Sequence, residues 1–537
     1  MKLQTRSGVP LQPAYLAPNG EGERPGEFPF TRGRLSNPHA PTTWIQRELS
    51  GEGNGKRSNA QIRYLLEHGQ TGIDVIGDAP TQSLLDPDHP LAREAVGTQG
   101  VSLCRKQDFV DLFEDVPFDR VSISSSVPSF FALSGLVLAA REAKFPLERL
   151  RGSILHGPLY TEDCSYAWHL PVDFRVRLAL DCIEFCSQHM PKFHAYVEDT
   201  YFFSESGLTP LEEMALGFVQ LRHLVRKLLA RGVAVDTFAP RIALLVNCGM
   251  DFFEEIAKIR ATRRLYAKMM RNEFGATNPR SISAAITSHT SGLSLTAQQP
   301  VNNIVRGTVQ ALALVLSGVQ ALEISAFDEA YRTPSKDAHI VGLRTQQILD
   351  LEAGIGKVTD PLGGSYFLEQ LTDELESRIR ARIDEIEAID DPEALSARGY
   401  FRDIFHQAME AAQRAVEKGD VQLIGVNVHA LPEKDDRLLR DIATAKIETW
   451  HGHTSEIEQF KRQRDSAPVR AALDRVAAAV AGSENLVPLV IEALDASASI
   501  GEIVTTMRRA LGMAPDIFDH ATPDLVPDHP IGARHVA

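Results

Sequence analysis

The regular alternation of short apolar runs with stretches of helical periodicity constrains this chain more than any other feature. Seven runs are apolar and often β-branched: TGIDVIG (71–77), RVSISSSV (120–127), GSILHG (152–157), FHAYVED (193–199), RIALLVN (241–247), SISAAIT (281–287) and ALEISAF (321–327). A weaker eighth is expected around Lys357–Thr359. Runs of this length and composition suit parallel strands buried on both faces. The segments between them, such as 210–232 and 301–318, repeat apolar residues at helical spacing and end in Gly or Pro. Eight strands alternating with helices predict the α/β class and a parallel (β/α)8 barrel with insertions. A doubly wound open sheet is the alternative, but no Gly-rich phosphate loop follows the first run.

With 537 residues, the chain exceeds what one hydrophobic core usually supports, so at least two structural units are expected. The pattern predicts an extended N-terminal arm over 1–59, the barrel over 60–420, a C-terminal helical extension over 421–512 and a loose, Pro-rich tail over 513–537. Within these, 366–420 and 465–512 read as helical, and LIGVNVH (423–429) as a lone strand. A formal net charge of -15, with 56 Lys+Arg against 71 Asp+Glu, argues against a nucleic-acid or anionic-membrane surface. No apolar run is long enough to span a bilayer, and the first 30 residues lack the apolar segment of a secretory signal. Cysteines 104, 164, 182, 186 and 248 have no metal-binding spacing. Cys182 and Cys186, one helical turn apart, read as buried helix-face residues in a protein of the reducing cytoplasm.

A barrel carries its site at the carboxyl ends of its strands. Candidates there are Ser124, Ser126, His156, Glu198, Asp199, Tyr201, Glu205, Asn247, His289, Ser325, Asp328 and Glu329. They form no self-evident catalytic constellation. Glu198 and Asp199 read as a solvated pair, because neighbouring strand residues face opposite ways. His156 and His289 lack ligand spacing, so no metal site is expected, and either suits a satisfied interior histidine. Asp337–Gly342 (DAHIVG) matches D-x-H-x-x-G, a pattern that supplies a histidine to cobalamin when it lies in a loop after a strand. Here it runs into a helical segment and is read as coincidence.

The segments FPFTRG (28–33), QHMPKF (188–193), SLTAQQPVNNIVRGTVQALALVLSGVQAL (294–322), FDEAYRTP (327–334), RTQQIL (344–349) and TDPLGGSYFLEQLT (359–372) together resemble the large subunit of the methylmalonyl-CoA mutase family. The resemblance runs from about 28 to 372 and, more weakly, to about 512. It implies a (β/α)8 barrel whose lumen admits an acyl-CoA. It also implies adenosylcobalamin at the carboxyl end, held by a flavodoxin-like domain. Because this sequence ends where that domain would begin, it resembles the split form of the family, as in isobutyryl-CoA and 2-hydroxyisobutyryl-CoA mutases. The split form implies a separate small cobalamin-binding subunit, with homodimerisation of the large subunit in a heterotetramer of two large and two small chains. The implied activity is a radical 1,2-rearrangement of a carbon skeleton, an isomerase reaction.

Carried over residue by residue, the resemblance implies that Glu205, Gly292, Glu329 and Ala330 contact the cofactor, and that Arg47, Arg263, Ser124 and Ser126 hold the CoA thioester, phosphates or pantetheine. The pocket departs from the family. Ser165 replaces the carboxylate-gripping Arg, Leu49 a Tyr that wedges against substrate, Phe202 (after Tyr201) a thioester-binding His, and Leu155 a Gln. The sixth-strand R-x-H-x-Q reads Ala285 to His289, which places Thr287 and His289 in the pocket. A substrate carboxylate would lose its Arg, so methylmalonyl-CoA is not the expected substrate. Changes around 34–45 also alter the expected CoA entrance. One expectation is an active mutase with an apolar or unusual acyl-CoA, in which His289, Tyr201 and Glu329 are catalytic. The alternative is a silent subunit or scaffold paired with an active paralogue.

Overall fold

Among the described residues, local chemistry builds nine parallel strands: β1 (Ile45–Arg47), β2 (Leu49–Ser50), β3 (Gly72–Val75), β4 (Ser122–Ser125), β5 (Gly152–His156), β6 (Phe193–Asp199), β7 (Ile242–Cys248), β8 (Ala285–Thr290) and β9 (Ala321–Glu323). Their sheet order is β1-β9-β8-β7-β6-β5-β4-β3-β2. With helices between successive strands from β2 onward, the fold class is the (β/α)8 barrel, followed by a C-terminal helical part. The computed structural model describes residues 3–17, 22–35, 44–432, 434–436, 439, 449–516 and 522–527. Positions 1–2, 18–21 and 36–43 of the expected arm lie outside the described residues, as do 517–521 and 528–537 of the expected tail. Most of the expected change at the CoA entrance falls on the same gap.

The chain divides into two units. The first comprises Met1–Glu48 and Val197–Lys446, and the second Leu49–Tyr196 and Ile447–Ala537. In the first unit, helix Pro210–Ala230 starts at Thr209, whose side chain accepts from the Glu212 N–H. Helix Asn302–Ser317 stops at Gly318, which takes a left-handed φ of 72° that only glycine adopts without strain. In the second unit, the helices Ser466–Val480, Leu486–Asp495 and Ile500–Ala510 pack with helices Ser129–Glu142 and Val172–His189. Arg177 fastens this layer by donating to the carbonyls of Val480 at 2.6 Å and Ala479 at 2.9 Å. Lys461 bridges Asp86 and Asp88 at 2.8 and 2.7 Å. Cys182 and Cys186 are buried on helix Val172–His189. No helix of the described residues is long and apolar enough to cross a membrane.

Several expectations are corrected. No strand forms at 357–359, where the chain makes a 3-10 turn, Ile355–Lys357. The missing strand is instead 45–50, which pairs with β9 through β1 and with β3 through β2. Its polar sequence hid it, although Gln46, Arg47, Glu48 and Ser50 are all buried. β8 begins four residues late because Asn278 caps the Pro279–Ile282 turn by accepting from the Arg280 N–H at 3.0 Å. LIGVNVH is a turn: Asn427 accepts from the Leu423 N–H and donates to the Val416 and Val421 carbonyls. Glu198 and Asp199 are 0% and 8% exposed, not solvated, and Glu198 accepts from Gln220 at 2.6 Å. An additional helix, His451–Gln463, precedes the expected C-terminal ones.

The DAHIVG motif lies within helix Lys336–Gln347. His339 is buried 4.0 Å from Glu48, and burial pushes its pKa down to about 4. A Cβ on Gly342 would stand 2.6 Å from a Glu48 carboxyl oxygen, so the glycine serves close packing. His156 is likewise an interior histidine, with Nε2 3.0 Å from the Ala195 carbonyl and a pKa lowered to about 4 by burial.

Candidate active site

The first unit gathers its polar residues just beyond the carboxyl ends of β6, β7, β8 and β9. After β6, Thr200 leads into the short helix Tyr201–Glu205. Its single turn sets Tyr201 and Glu205, four residues apart, on the same side. Glu205 then accepts three hydrogen bonds, from Asn247 Nδ2 at 2.8 Å, Ser291 Oγ at 2.7 Å and the Leu293 N–H at 2.7 Å. Burial still raises its pKa, and those hydrogen bonds only partly offset the rise.

Asn247, near the end of β7, is held on every side. Its Oδ1 accepts from the Cys248 N–H at 2.8 Å, which turns the amide NH2 toward Glu205. Its backbone N–H donates to Glu213, and its carbonyl accepts from Lys258 at 2.8 Å. Lys258 and Glu213, both 0% exposed, pair at 2.8 Å, and Glu255 adds a second carboxylate to the ammonium at 2.6 Å. All three Lys258 donors are therefore used, as a buried ion requires. The two carboxylates keep its pKa high.

Glu329 lies in the turn after β9, where its Oε2 accepts from the Ala326 N–H at 3.0 Å. Burial first, and the Glu205 charge second, push its pKa up to about 7. Ala330 beside it is exposed. The Tyr201 hydroxyl is pushed well above its ordinary pKa by burial and by the charges of Glu205, Glu329 and Glu323. These groups converge on Gly292. A Cβ there would meet Glu205 Oε2 at 3.2 Å, Glu329 Oε1 at 3.6 Å and the Tyr201 hydroxyl at 3.6 Å. The glycine thus leaves open a small polar cradle of two carboxyl groups and a phenol, in protonation states able to donate as well as accept hydrogen bonds.

One layer deeper, the Tyr201 ring meets the His289 ring edge-on at 5.1 Å, and Phe202 packs on Tyr201 at 5.6 Å. His289 on β8 aligns with Asn247 on β7 and with Glu323 on β9, and Glu323 aligns with Arg47 on β1. Arg47, Glu323, His289 and Asn247 form one buried polar rung across four strands. Half-buried Thr287, two residues before His289, shares its strand face.

The structure brings Tyr201, Phe202, Glu205, Thr287, His289, Gly292, Glu329 and Ala330 together, with Arg47 on the rung below. Arg263 does not join them. Its guanidinium donates to the carbonyls of Ser317 and Gly318 at 2.6 and 3.0 Å, at the end of the helix that precedes β9. The side chain is 1% exposed, and burial lowers its pKa to about 10.

The second unit holds the remaining candidates. Leu49, Asp74, Ser124 and Ser153 align across β2 to β5, and the Ser153 hydroxyl donates to that of Ser124 at 3.0 Å. Leu155 is half-buried two residues beyond Ser153, on the same face, and Ser126 is half-buried just past β4. Ser165 is exposed after the short helix Thr161–Cys164.

Sequence reasoning missed Ser291, Glu323 and the Lys258–Glu213–Glu255 cluster. Glu323 carried a signal, a charge inside the apolar run ALEISAF. The cluster carried none, because its members lie on two helices far apart in sequence.

Comparison with known proteins gives this geometry a family. The profile described as Methylmalonyl-CoA mutase matches residues 4–513. The chain is 35% identical over 521 residues to the 2-hydroxyisobutanoyl-CoA mutase large subunit of Aquincola tertiaricarbonis, covering 95% of this chain and 92% of that one. It is 34% identical over 516 residues to methylmalonyl-CoA mutase of Rhizobium meliloti (95% and 72%). Against the human mitochondrial methylmalonyl-CoA mutase it is 30% identical over 514 residues (95% and 68%). A match of this extent, on a (β/α)8 barrel with its polar cradle at the strand ends, shows that the chain belongs to the methylmalonyl-CoA mutase family of isomerases.

Proposed function

We propose that the chain is the large, substrate-binding subunit of an adenosylcobalamin-dependent acyl-CoA mutase of the cytoplasm, acting on an acyl group without a second carboxylate. The observation that carries this reading is the cradle over Gly292. Two carboxyl groups and a phenol around an open backbone position form the donor and acceptor set that a ribose diol needs, so the residues fit the adenosyl group. Glu205, Glu329 and Tyr201 would hold that group beside Gly292 and Ala330. When bound, adenosylcobalamin supplies the radical chemistry of the rearrangement. The chain's own residues orient and shield: Asn247 and Ser291 fix the Glu205 carboxylate, and Tyr201, with Phe202 packed on it, lays its ring against His289. In the first unit His289 and Thr287 offer polar contacts to a thioester. In the second unit the paired Ser153 and Ser124 hydroxyls and Ser126 suit a pantetheine arm, and Leu49, Leu155 and Ser165 carry no cation. A partner small subunit is supported by the similarity to a chain named as a large subunit, over 92% of that relative's length.

The test adds adenosylcobalamin and a small cobalamin-binding subunit to the purified chain and follows electron paramagnetic resonance as branched, straight-chain, hydroxy and dicarboxylic acyl-CoAs are supplied. A paramagnetic signal with one uncharged class is expected. Subunit binding without a signal from any acyl-CoA would favour the silent-subunit alternative.

A further inference from the structure

Glu323 is a carboxylate inside an apolar strand, 3% exposed. A buried charge persists only with compensation close by. The ladder supplies it, with Arg47 aligned on β1 and His289 on β8, and with His289 Nδ1 3.5 Å from Glu323 Oε2. The side chain faces the site. Its charge acts on the Tyr201 hydroxyl, while the preceding Leu322, on the opposite face, is fully buried. Arg47 follows the same alternation, because the next residue, Glu48, turns toward His339 and Gln346. Arg47, Glu323 and His289 therefore share one rung on the face that carries Tyr201.

On that rung Arg47 is aligned with the carboxylate-bearing Glu323 of the neighbouring strand, and Glu205 and Glu329 lie above. A substrate carboxylate would have to compete with Glu323 for Arg47 while facing two further acids. An uncharged acyl group meets neither penalty.

We propose that Glu323 is a specificity-determining residue: by neutralising Arg47 on the adjacent strand, it restricts the site to acyl-CoA substrates whose acyl group carries no carboxylate. This rests on the acyl-CoA mutase reading above and assigns its selectivity to a residue outside the family-derived pocket.

Titration calorimetry of the full chain with butyryl-CoA and succinyl-CoA tests it. The wild type should bind butyryl-CoA roughly tenfold more tightly, about one carboxylate's worth of unfavourable charge. Glu323→Gln, which frees Arg47, should close most of that gap by strengthening succinyl-CoA binding, whereas Glu323→Asp, which keeps the charge, should preserve it. Equal binding of the two ligands by the wild type, or an unchanged ratio in Glu323→Gln, overturns the proposal while leaving the acyl-CoA reading standing. Failure of the wild type to bind either ligand or free CoA overturns the acyl-CoA reading, and the proposal falls with it.

Discussion

Replacing Glu329 with Gln should make the protein more stable, and only above mildly acidic pH. The carboxyl group titrates at about 7 instead of its ordinary 4.5, because burial and then the Glu205 charge disfavour the ionised form. Between those two values the folded chain keeps a proton that the unfolded chain has released, so stability falls as pH rises through the window and levels off above about 7. At about 1.4 kcal/mol per pH unit, that interval corresponds to roughly 3 kcal/mol withheld from the folded state at pH 8. An amide has the same shape and no charge to desolvate. Glu329→Gln should therefore match the wild type near pH 4.5 and exceed it by up to about 3 kcal/mol at pH 8. Glu205, relieved of a neighbouring charge, moves the comparison in the same direction. Urea denaturation of both proteins at several pH values, followed by circular dichroism, reads the difference. Parallel pH profiles, or a Gln variant that is weaker at pH 8, would refute the assignment of a strained buried carboxyl. The gain should coincide with weaker adenosylcobalamin binding, since functional sites commonly hold such unfavourable groups.

Three further outcomes follow from the geometry. Gly292→Ala would place a methyl 3.2 Å from Glu205 and 3.6 Å from both Glu329 and Tyr201; it should change stability by no more than about 1 kcal/mol but abolish adenosylcobalamin binding, and retained binding would move the cofactor away from this cradle. Lys258→Met strands two buried carboxylates and should cost about 3–5 kcal/mol in denaturant titrations, with partial recovery when Glu213→Gln is added; a loss below about 1 kcal/mol would show that the cluster is not a buried ion network. Ser165→Arg, at an exposed position, should leave stability within about 0.5 kcal/mol and, on the proposed substrate contact, reduce turnover of the uncharged substrate; unchanged turnover would show that Ser165 does not contact the substrate.

Much of the fold was legible because a strand buried on both faces has to be apolar. The runs that became β3 to β9 announce themselves in this way, and helix ends such as Gly318 are marked by a residue with special backbone freedom. The strand at 45–50 escaped for the opposite reason. It buries Gln46, Arg47, Glu48 and Ser50, and partners such as Gln346, which donates to the Arg47 carbonyl and the Glu48 carboxyl group, come from 299 and 298 positions away. No local pattern encodes such partners. The expected strand at 357–359 shows the converse, since Thr359 donates its N–H to Pro13, an arm residue, rather than to a sheet.

The site divides along the same line. Motifs shared with a family named Glu205, Gly292 and Glu329 from sequence, and the strand-end rule named Tyr201, Asn247 and His289, which lie at or just beyond the carboxyl ends of β6, β7 and β8. Arg263 shows the limit of such transfer, because its chemistry suits an anionic tail while the structure turns its guanidinium onto the end of a helix.

The alternation of elements, the class of barrel and the family could all be read from the amino-acid sequence alone, because these depend on periodicity and on residues that recur at fixed spacing. The tertiary structure alone decided which charged residues meet: Lys258 is paired with Glu213 and Glu255, Glu329 is set against the like charge of Glu205, and Glu323 is aligned with Arg47 across β9 and β1. Electrostatic energy in a buried site depends on distances of a few ångströms and on the water excluded around them. Both quantities come into existence only when strands and helices remote in sequence are packed together.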